Sequence, residues 1–237
     1  MPQLVSVTFP IALARVEALT GNRQLADSPN FQAKVVLSQA FGEGAVRPWR
    51  LLNSASGVHT LAGWVRDAAL IAPNPESRRL GVITDNLDWQ PPAKDEIVAL
   101  DVLAAPQRQL ARPDGKRIYL DVSSTLDALG RIMSAPPSER PIAWSQWFAR
   151  SLTAPRTGIE IVGNPTIVEA QMITTIRAER RDPLKIQTAR ALVRARIVEP
   201  SAFLNFLTIG FKKNKDIGLG CVLPAALTIP SLIAEAA

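Results

Sequence analysis

Apolar and polar positions divide the chain into short strands and helices. Residues 4–11 are β-branched and apolar, which predicts a buried strand. After a polar loop at 20–24, Asp27-Ser28-Pro29 supplies a helix start, a capping residue followed by proline. Phe31, Val35, Val36, Leu37 and Phe41 recur near helical spacing until Gly42-Glu43-Gly44 ends the run. Strands are predicted at 48–52 and 59–66, joined by a Ser/Gly-containing turn at 53–57. A weak helical signal lies around 76–80. Residues 97–103 then alternate (Ile97, Ala99, Asp101) as a further strand does. The order approximates βαββαβ, the ferredoxin-like unit.

A second half follows the turn Arg112-Pro113-Asp114-Gly115-Lys116. Helices are predicted at 123–133 and 142–152, on either side of Ala135-Pro136-Pro137, and strands at 158–162, 166–176 and 185–198. Pro200-Ser201 opens a short helix with Phe203, Phe206 and Leu207 on one face, and 219–223 closes as a strand. The predicted class is α+β: two tandem ferredoxin-like (RRM-like) domains, 1–110 and 111–237, the second with a helical insertion at about 122–156.

Composition adds a partner class. At 237 residues and 47% hydrophobic content the chain can bury one large core or two small ones. Net charge is +6, and the excess is local. From Arg140 to Lys215 there are 13 Lys+Arg against 5 Asp+Glu, while the rest carries 14 against 16. A basic region of this kind points to nucleic acid. The single Cys221 cannot form an intramolecular disulfide and reads as a small core residue. With no signal-peptide pattern, and with Pro224 and Pro230 interrupting the apolar tail, the expectation is a soluble cytoplasmic protein without a membrane span.

The densest chemical signal is residues 210–220, where Gly210, Gly218 and Gly220 enclose Lys212, Lys213 and Lys215. Glycines let backbone approach a ligand closely, and lysines among them suit phosphate. Along 190–197, Arg190, Arg194 and Arg196 fall on even positions with small apolar residues between, predicting one basic strand face and one buried face. Arg177, Arg180, Arg181 and Lys185 flank the preceding turn. Arg140, Arg150 and Arg156 accompany Trp144, Trp147 and Phe148, aromatics whose spacing fits a helix core better than base stacking.

Several landmarks recur in a fixed order: Gln39-Ala40-Phe41, Trp49-Arg50-Leu51-Leu52, Asp114-Gly115-Lys116-Arg117, Trp147-Phe148-Ala149-Arg150, Glu199-Pro200 with Phe203, and the glycine segment. In that order the chain resembles CRISPR repeat-processing endoribonucleases of the RAMP superfamily, of the type IV or type I-E branch. Against the family's loop, Gly210, Lys213, Lys215, Gly218 and Gly220 fall on matching positions, and Lys212 and Asn214 replace two glycines. The resemblance implies two tandem ferredoxin-like domains. It also implies cleavage of repeat RNA at the base of a hairpin, with the 2′-hydroxyl as nucleophile and without metal or other cofactor. The expected partners are the repeat hairpin and the other subunits of an effector complex.

Relatives place a histidine on the first helix; counted back from Phe41 that position is Lys34. Lysine is a poor base at neutral pH, so the departure matters. Arg23, in the loop before this helix, can stabilise phosphorane charge, and Ser38, one turn after Lys34, can hydrogen-bond a phosphate. Lys34 and Arg23 equally fit ordinary surface cations, and Ser38 reads more readily as a plain surface serine. His59, the single histidine, lies outside the family's catalytic position and reads as a structural or surface histidine. Asp85, Asp88, Asp95 and Glu96 flank turns and make a poor metal set. Loss of the histidine leaves a second reading open, a guide-RNA-binding subunit that does not cut.

Overall fold

The computed structural model describes residues 1–111, 117–127, 129, 131–153, 155–176, 183–212 and 218–228. Its first unit runs β1 (Gln3–Pro10), α1 (Ile11–Gly21), α2 (Pro29–Phe41), β2 (Trp49–Ala55), β3 (Val58–Val65), α3 (Pro75–Arg79) and β4 (Ile83–Asn86). The strands form one antiparallel sheet in the order β2-β3-β1-β4. Strand period two sorts the residues: Val5, Val7, Phe9, Leu61 and Val65 pack with Ala33, Val36, Leu37 and Ala40 of α2. Their neighbours Leu4, Ala62 and Trp64 join the core of the second unit instead.

That second unit contains β5 (Ile97–Ala104), the small hairpins β6 (Gln107–Ala111)–β7 (Arg117–Asp121) and β8 (Thr125–Leu126)–β9 (Ile132–Met133), and α4 (Arg140–Leu152). It continues with β10 (Ile159–Ile161), β11 (Thr166–Ile176), β12 (Pro183–Ile197), α5 (Pro200–Ile209) and β13 (Val222–Pro224). Sheet order is β10-β12-β5-β13, with β11 also paired to β12. Both sheets thus have ferredoxin-like order. Between them Trp64 Nε1 donates to the Val222 carbonyl at 2.8 Å.

Four expectations are corrected. The segment at 97–103 does not close the first sheet; β5 pairs with β12 and β13, and β4 takes the edge beside β1. Sheet membership therefore changes between Asn86 and Ile97, ahead of residue 110. No helix was expected at 11–21, yet α1 forms there; it buries only Ala14 and Ala18, while Leu13, Val16 and Leu19 are exposed. The helix expected at 123–133 is replaced by β8–β9, because the Asp127 carboxylate accepts the backbone N–H groups of Leu129 and Arg131. Such local bonds compete with a helical turn. The insertion is helical only over α4. The closing strand begins at Val222, with Leu219 to Cys221 buried ahead of it.

Among the described residues no helix is long and apolar enough to cross a membrane. The turn at 112–116, Arg177, Arg180, Arg181, Lys213, Lys215 and the tail beyond Thr228 lie outside the described residues.

Candidate RNA-binding site

The two ends of the glycine segment are held against the first unit. Gly210 caps α5 through its N–H to the Phe206 carbonyl, and the Phe211 N–H donates to the Gly220 carbonyl, both at 2.7 Å. Gly220 in turn donates to the Leu103 carbonyl of β5 at 2.8 Å. Gly220 has φ +72°, and the Phe211 carbonyl oxygen occupies the space a methyl would need, so only glycine fits. Gly218, at φ +82°, lies against the Trp49 ring: a methyl there would sit 2.7 Å from the indole and 3.2 Å from Asn30 Nδ2 of α2. One stem of the segment therefore touches both β2 and the helix that carries Lys34 and Ser38.

The other stem is anchored by aromatics. Phe211 is buried against Trp147, Phe148 and Phe206, with ring centroids 5.4, 6.1 and 6.3 Å away. Trp144, Trp147 and Phe148 are thus core, as their spacing implied. Lys212 adopts φ +59°, the left-handed region that favours glycine. Its Nζ lies 5.3 Å from the Trp147 ring centroid, and partial burial holds its pKa below the usual lysine range.

Lys34 and Ser38 line one small hollow, together with Glu43, Gly44, Arg47 and Trp49. The chain turns from α2 into β2 here, and that turn brings Glu43 and Arg47 to the two expected residues. The backbone is fixed by the Arg47 N–H to the Trp64 carbonyl and the Trp64 N–H to the Pro48 carbonyl, each 3.0 Å. Glu43 and Arg47 carried no individual sequence signal; only the fold assembles them. Arg23 is exposed in the turn between α1 and α2 and does not line this hollow. The N-terminus of α2 also meets β11, where Ser28 Oγ donates to the Thr174 carbonyl at 3.4 Å.

The β12 arginines divide. Ala189, Ala191, Val193, Ala195 and Ile197 are buried, as the alternation required. Arg194 is exposed, and Arg196 is 3.3 Å from Glu160 at the surface. Arg190 is a correction: its Nε and Nη2 bind Asp101, which is fully buried, so its charge is committed inside the protein. Arg50 binds the same carboxylate from β2. Burial would raise the Asp101 pKa, but hydrogen bonds from Arg50 and Arg190 outweigh it and hold the carboxyl low. Arg150 and Arg156 are exposed on α4 and on the turn after it.

His59 is buried, which decides for a structural over a surface histidine. Its Nδ1 lies 2.7 Å from Ser54 Oγ and its Nε2 2.6 Å from Gln32 Oε1. Gln32 Nε2 donates to the Ala26 carbonyl, so Gln32 Oε1 must accept and His59 Nε2 must carry the proton. Desolvation lowers the His59 pKa, favouring this neutral form. Cys221 is inert in the core, its thiol pushed up to about 12 by burial.

The two sheets, packed through Trp64 and bridged at Arg50, define a tandem ferredoxin-like protein. No protein-family model matches the chain, and no curated protein matches it significantly. Among solved structures it is similar to Thermus thermophilus Cse3 bound to an RNA representing a pre-cleavage complex. The TM-score is 0.60 at 18% identity, over 93% of this chain and 98% of that one. It is also similar to the CRISPR-associated protein Cas6e from Escherichia coli str. K-12, with TM-score 0.54 at 17% identity over 94% and 98%. A chain of a CRISPR RNA-guided surveillance complex, pre-nicking, matches at TM-score 0.53 and 14% identity, over 93% and 98%. At these identities the likeness is one of fold, and the fold is that of CRISPR endoribonuclease Cse3.

Proposed function

We propose that the protein is an endoribonuclease that binds the hairpin of a CRISPR repeat RNA and cuts it at the hairpin base. It then stays on the product as part of an effector complex in the cytoplasm. One observation carries the reading: the glycine stem at Gly218 rests on Trp49 and Asn30, beside the hollow of Lys34, Ser38, Glu43 and Arg47. An RNA held by the loop of the second unit is thereby delivered to titratable groups of the first. The fold shared with Cse3, which has been solved bound to RNA, supports the substrate class.

The reaction needs no metal in this scheme. The 2′-oxygen attacks the adjacent phosphorus and the P–O5′ bond breaks, leaving a 2′,3′-cyclic phosphate and a 5′-hydroxyl. In this scheme Glu43 accepts the 2′-hydroxyl proton and the Lys34 ammonium gives one to the departing oxygen. Arg47, with Ser38 as a hydrogen-bond donor, stabilises the phosphorane. Arg23, outside the hollow, acts on the RNA flank. Lys212, Lys213, Lys215, Arg150, Arg156, Arg194 and Arg196 bind phosphate and hold the duplex, whose A-form shape favours backbone contacts.

Repeat RNA incubated with the protein in EDTA is expected to yield a shortened hairpin ending in a cyclic phosphate. Intact RNA, or cleavage restored only by magnesium, sinks the mechanism. Lys34→Ala and Glu43→Gln are each expected to slow cleavage by about 10²–10³-fold with little change in binding. Lysine at the family's histidine position favours a second reading, a binding subunit that does not cut. A single 2′-deoxy nucleotide at the cut separates the two, since it stops an enzyme and leaves a passive subunit unaffected.

A further inference from the structure

The hollow beside Lys34 does not end there. At Gly44 and Arg47 it meets a larger depression of about 280 Å³, which also takes in Arg66, Leu70 and Thr208. Arg66 and Thr208 in turn border a third, of about 370 Å³, with Asn205 of α5 and the N-terminal Met1. Through these shared residues the three adjoin one another as a groove from α2, past the end of β3, to α5. It lies on neither the glycine segment nor the β12 face.

Its charge is unspent. Arg47 and Arg66 are both exposed, and neither forms an ion pair among the described residues. Asp67, the acid next to Arg66, is occupied by the Ala69 N–H at 3.0 Å. Beside the two cations lie Leu70 and Ile209, 49% and 45% exposed. Guanidinium groups beside apolar side chains suit a chain of phosphates bearing flat, partly apolar groups. Single-stranded nucleic acid has that chemistry. A duplex does not, because its bases are turned inward.

We propose that this groove binds the single-stranded RNA continuing past the cut site, with Arg47 and Arg66 on successive backbone phosphates and Leu70 and Ile209 against bases. The inference rests on the cutting role proposed for the Lys34 hollow. The strand leaving that hollow enters the groove at Arg47, which borders both. Flank binding then fixes which phosphate lies at Lys34, so the groove sets the register of the cut as well as adding affinity.

The test uses the full chain and two RNAs: the hairpin ending blunt at its base, and the same hairpin with a single-stranded tail beyond the cut, a 2′-deoxy nucleotide at the cut keeping the tailed RNA whole. The wild type is expected to bind the tailed RNA about tenfold more tightly. Arg66→Ala, outside the cleavage hollow, is expected to bind the blunt hairpin like the wild type and to lose most of the gain from the tail. The slope of log affinity against log salt for tailed RNA is expected to flatten by about 0.7, from one single-strand phosphate contact. A tail that adds nothing in the wild type overturns the proposal, as does a gain that survives in Arg66→Ala. Failure of the hairpin reading shows separately, as a wild type that does not prefer hairpin to unpaired RNA of equal length. The groove is then decided by the unpaired RNA, which Arg66→Ala must bind more weakly.

Discussion

The Arg50 guanidinium and the Asp101 carboxylate form a buried bidentate pair, Nη1 to Oδ1 at 2.8 Å and Nη2 to Oδ2 at 2.9 Å. Arg50 stands on β2 and Asp101 on β5, so the bond crosses from one sheet to the other. Arg190 and Thr228 complete the carboxylate's partners. Asp101→Ala leaves the buried Arg50 without its anion and Arg190 with only Glu169, 3.6 Å away, and is expected to destabilise the fold by about 3–5 kcal/mol. Because the folded pKa of Asp101 is depressed, its contribution is complete above the unfolded value of about 3.9 and is lost as pH falls through the folded value. Acid unfolding of the wild type should therefore steepen below that point, and Asp101→Ala should remove this part of the slope. A denaturation midpoint unchanged by the substitution contradicts the assignment.

Gly218 makes a narrower claim. Alanine there forces a left-handed residue and a methyl 2.7 Å from the Trp49 ring, so the stem must lift from β2. Gly163 serves as the control, since it too has positive φ (77°) but no atom lies within 4 Å of an added methyl. Each substitution carries a backbone cost of about 1–2 kcal/mol. Only Gly218→Ala is expected to weaken hairpin binding, by tenfold or more, in a filter-binding titration. Equal affinities for the two variants would detach the stem from RNA recognition.

What could be read from the chain follows physical lines. Helices α2 and α5 announce themselves because Val36, Leu37, Phe203, Phe206 and Leu207 put one apolar face on a regular period. α1 does not, since its buried contacts are the methyls of Ala14 and Ala18 while larger residues face outward. Strand alternation located β5 but carries no address for its partners, so its place beside β12 had to come from tertiary pairing. Arg190 looked like a surface charge because polarity says nothing of burial until the partner, here Asp101, is known. The same limit hid Glu43 and Arg47, which reach Lys34 only after the chain turns into β2. Gly218 and Gly220 were legible as glycines, and what they approach was not.

His59 links β3 to α2 through Gln32, two residues before Lys34. Its folded pKa is lowered by burial, so it stays neutral where an unfolded histidine protonates. Stability from this group is complete above the unfolded value of about 6.5 and is lost as pH falls from there toward the folded value. His59→Ala leaves Gln32 Oε1 and Ser54 Oγ without this partner and is expected to cost about 1–3 kcal/mol. Thermal unfolding between pH 7 and 5 checks it: the wild type should lose stability over this range and His59→Ala should lose less. Parallel curves would show that His59 does not titrate in the network.

Lys212 sets two opposed effects against each other. Its left-handed backbone favours glycine by about 1–2 kcal/mol, whereas its ammonium over Trp147 contributes only about 0.5–1 kcal/mol at an accessible site. The backbone term is the larger, so Lys212→Gly is expected to leave stability unchanged or slightly raised. Lys212→Ala keeps the strain and loses the cation–π contact, and should be the less stable of the two. RNA binding should rank them differently. Both variants lack the charge, so both are expected to bind repeat hairpin more weakly and to flatten the salt slope by roughly 0.9, one duplex phosphate contact. Thermal melts and salt titrations of the two variants together separate the roles. Were both to keep the wild-type salt slope, Lys212 would be a packing residue whose charge is spent on Trp147, and phosphate binding would fall to the rest of the basic surface.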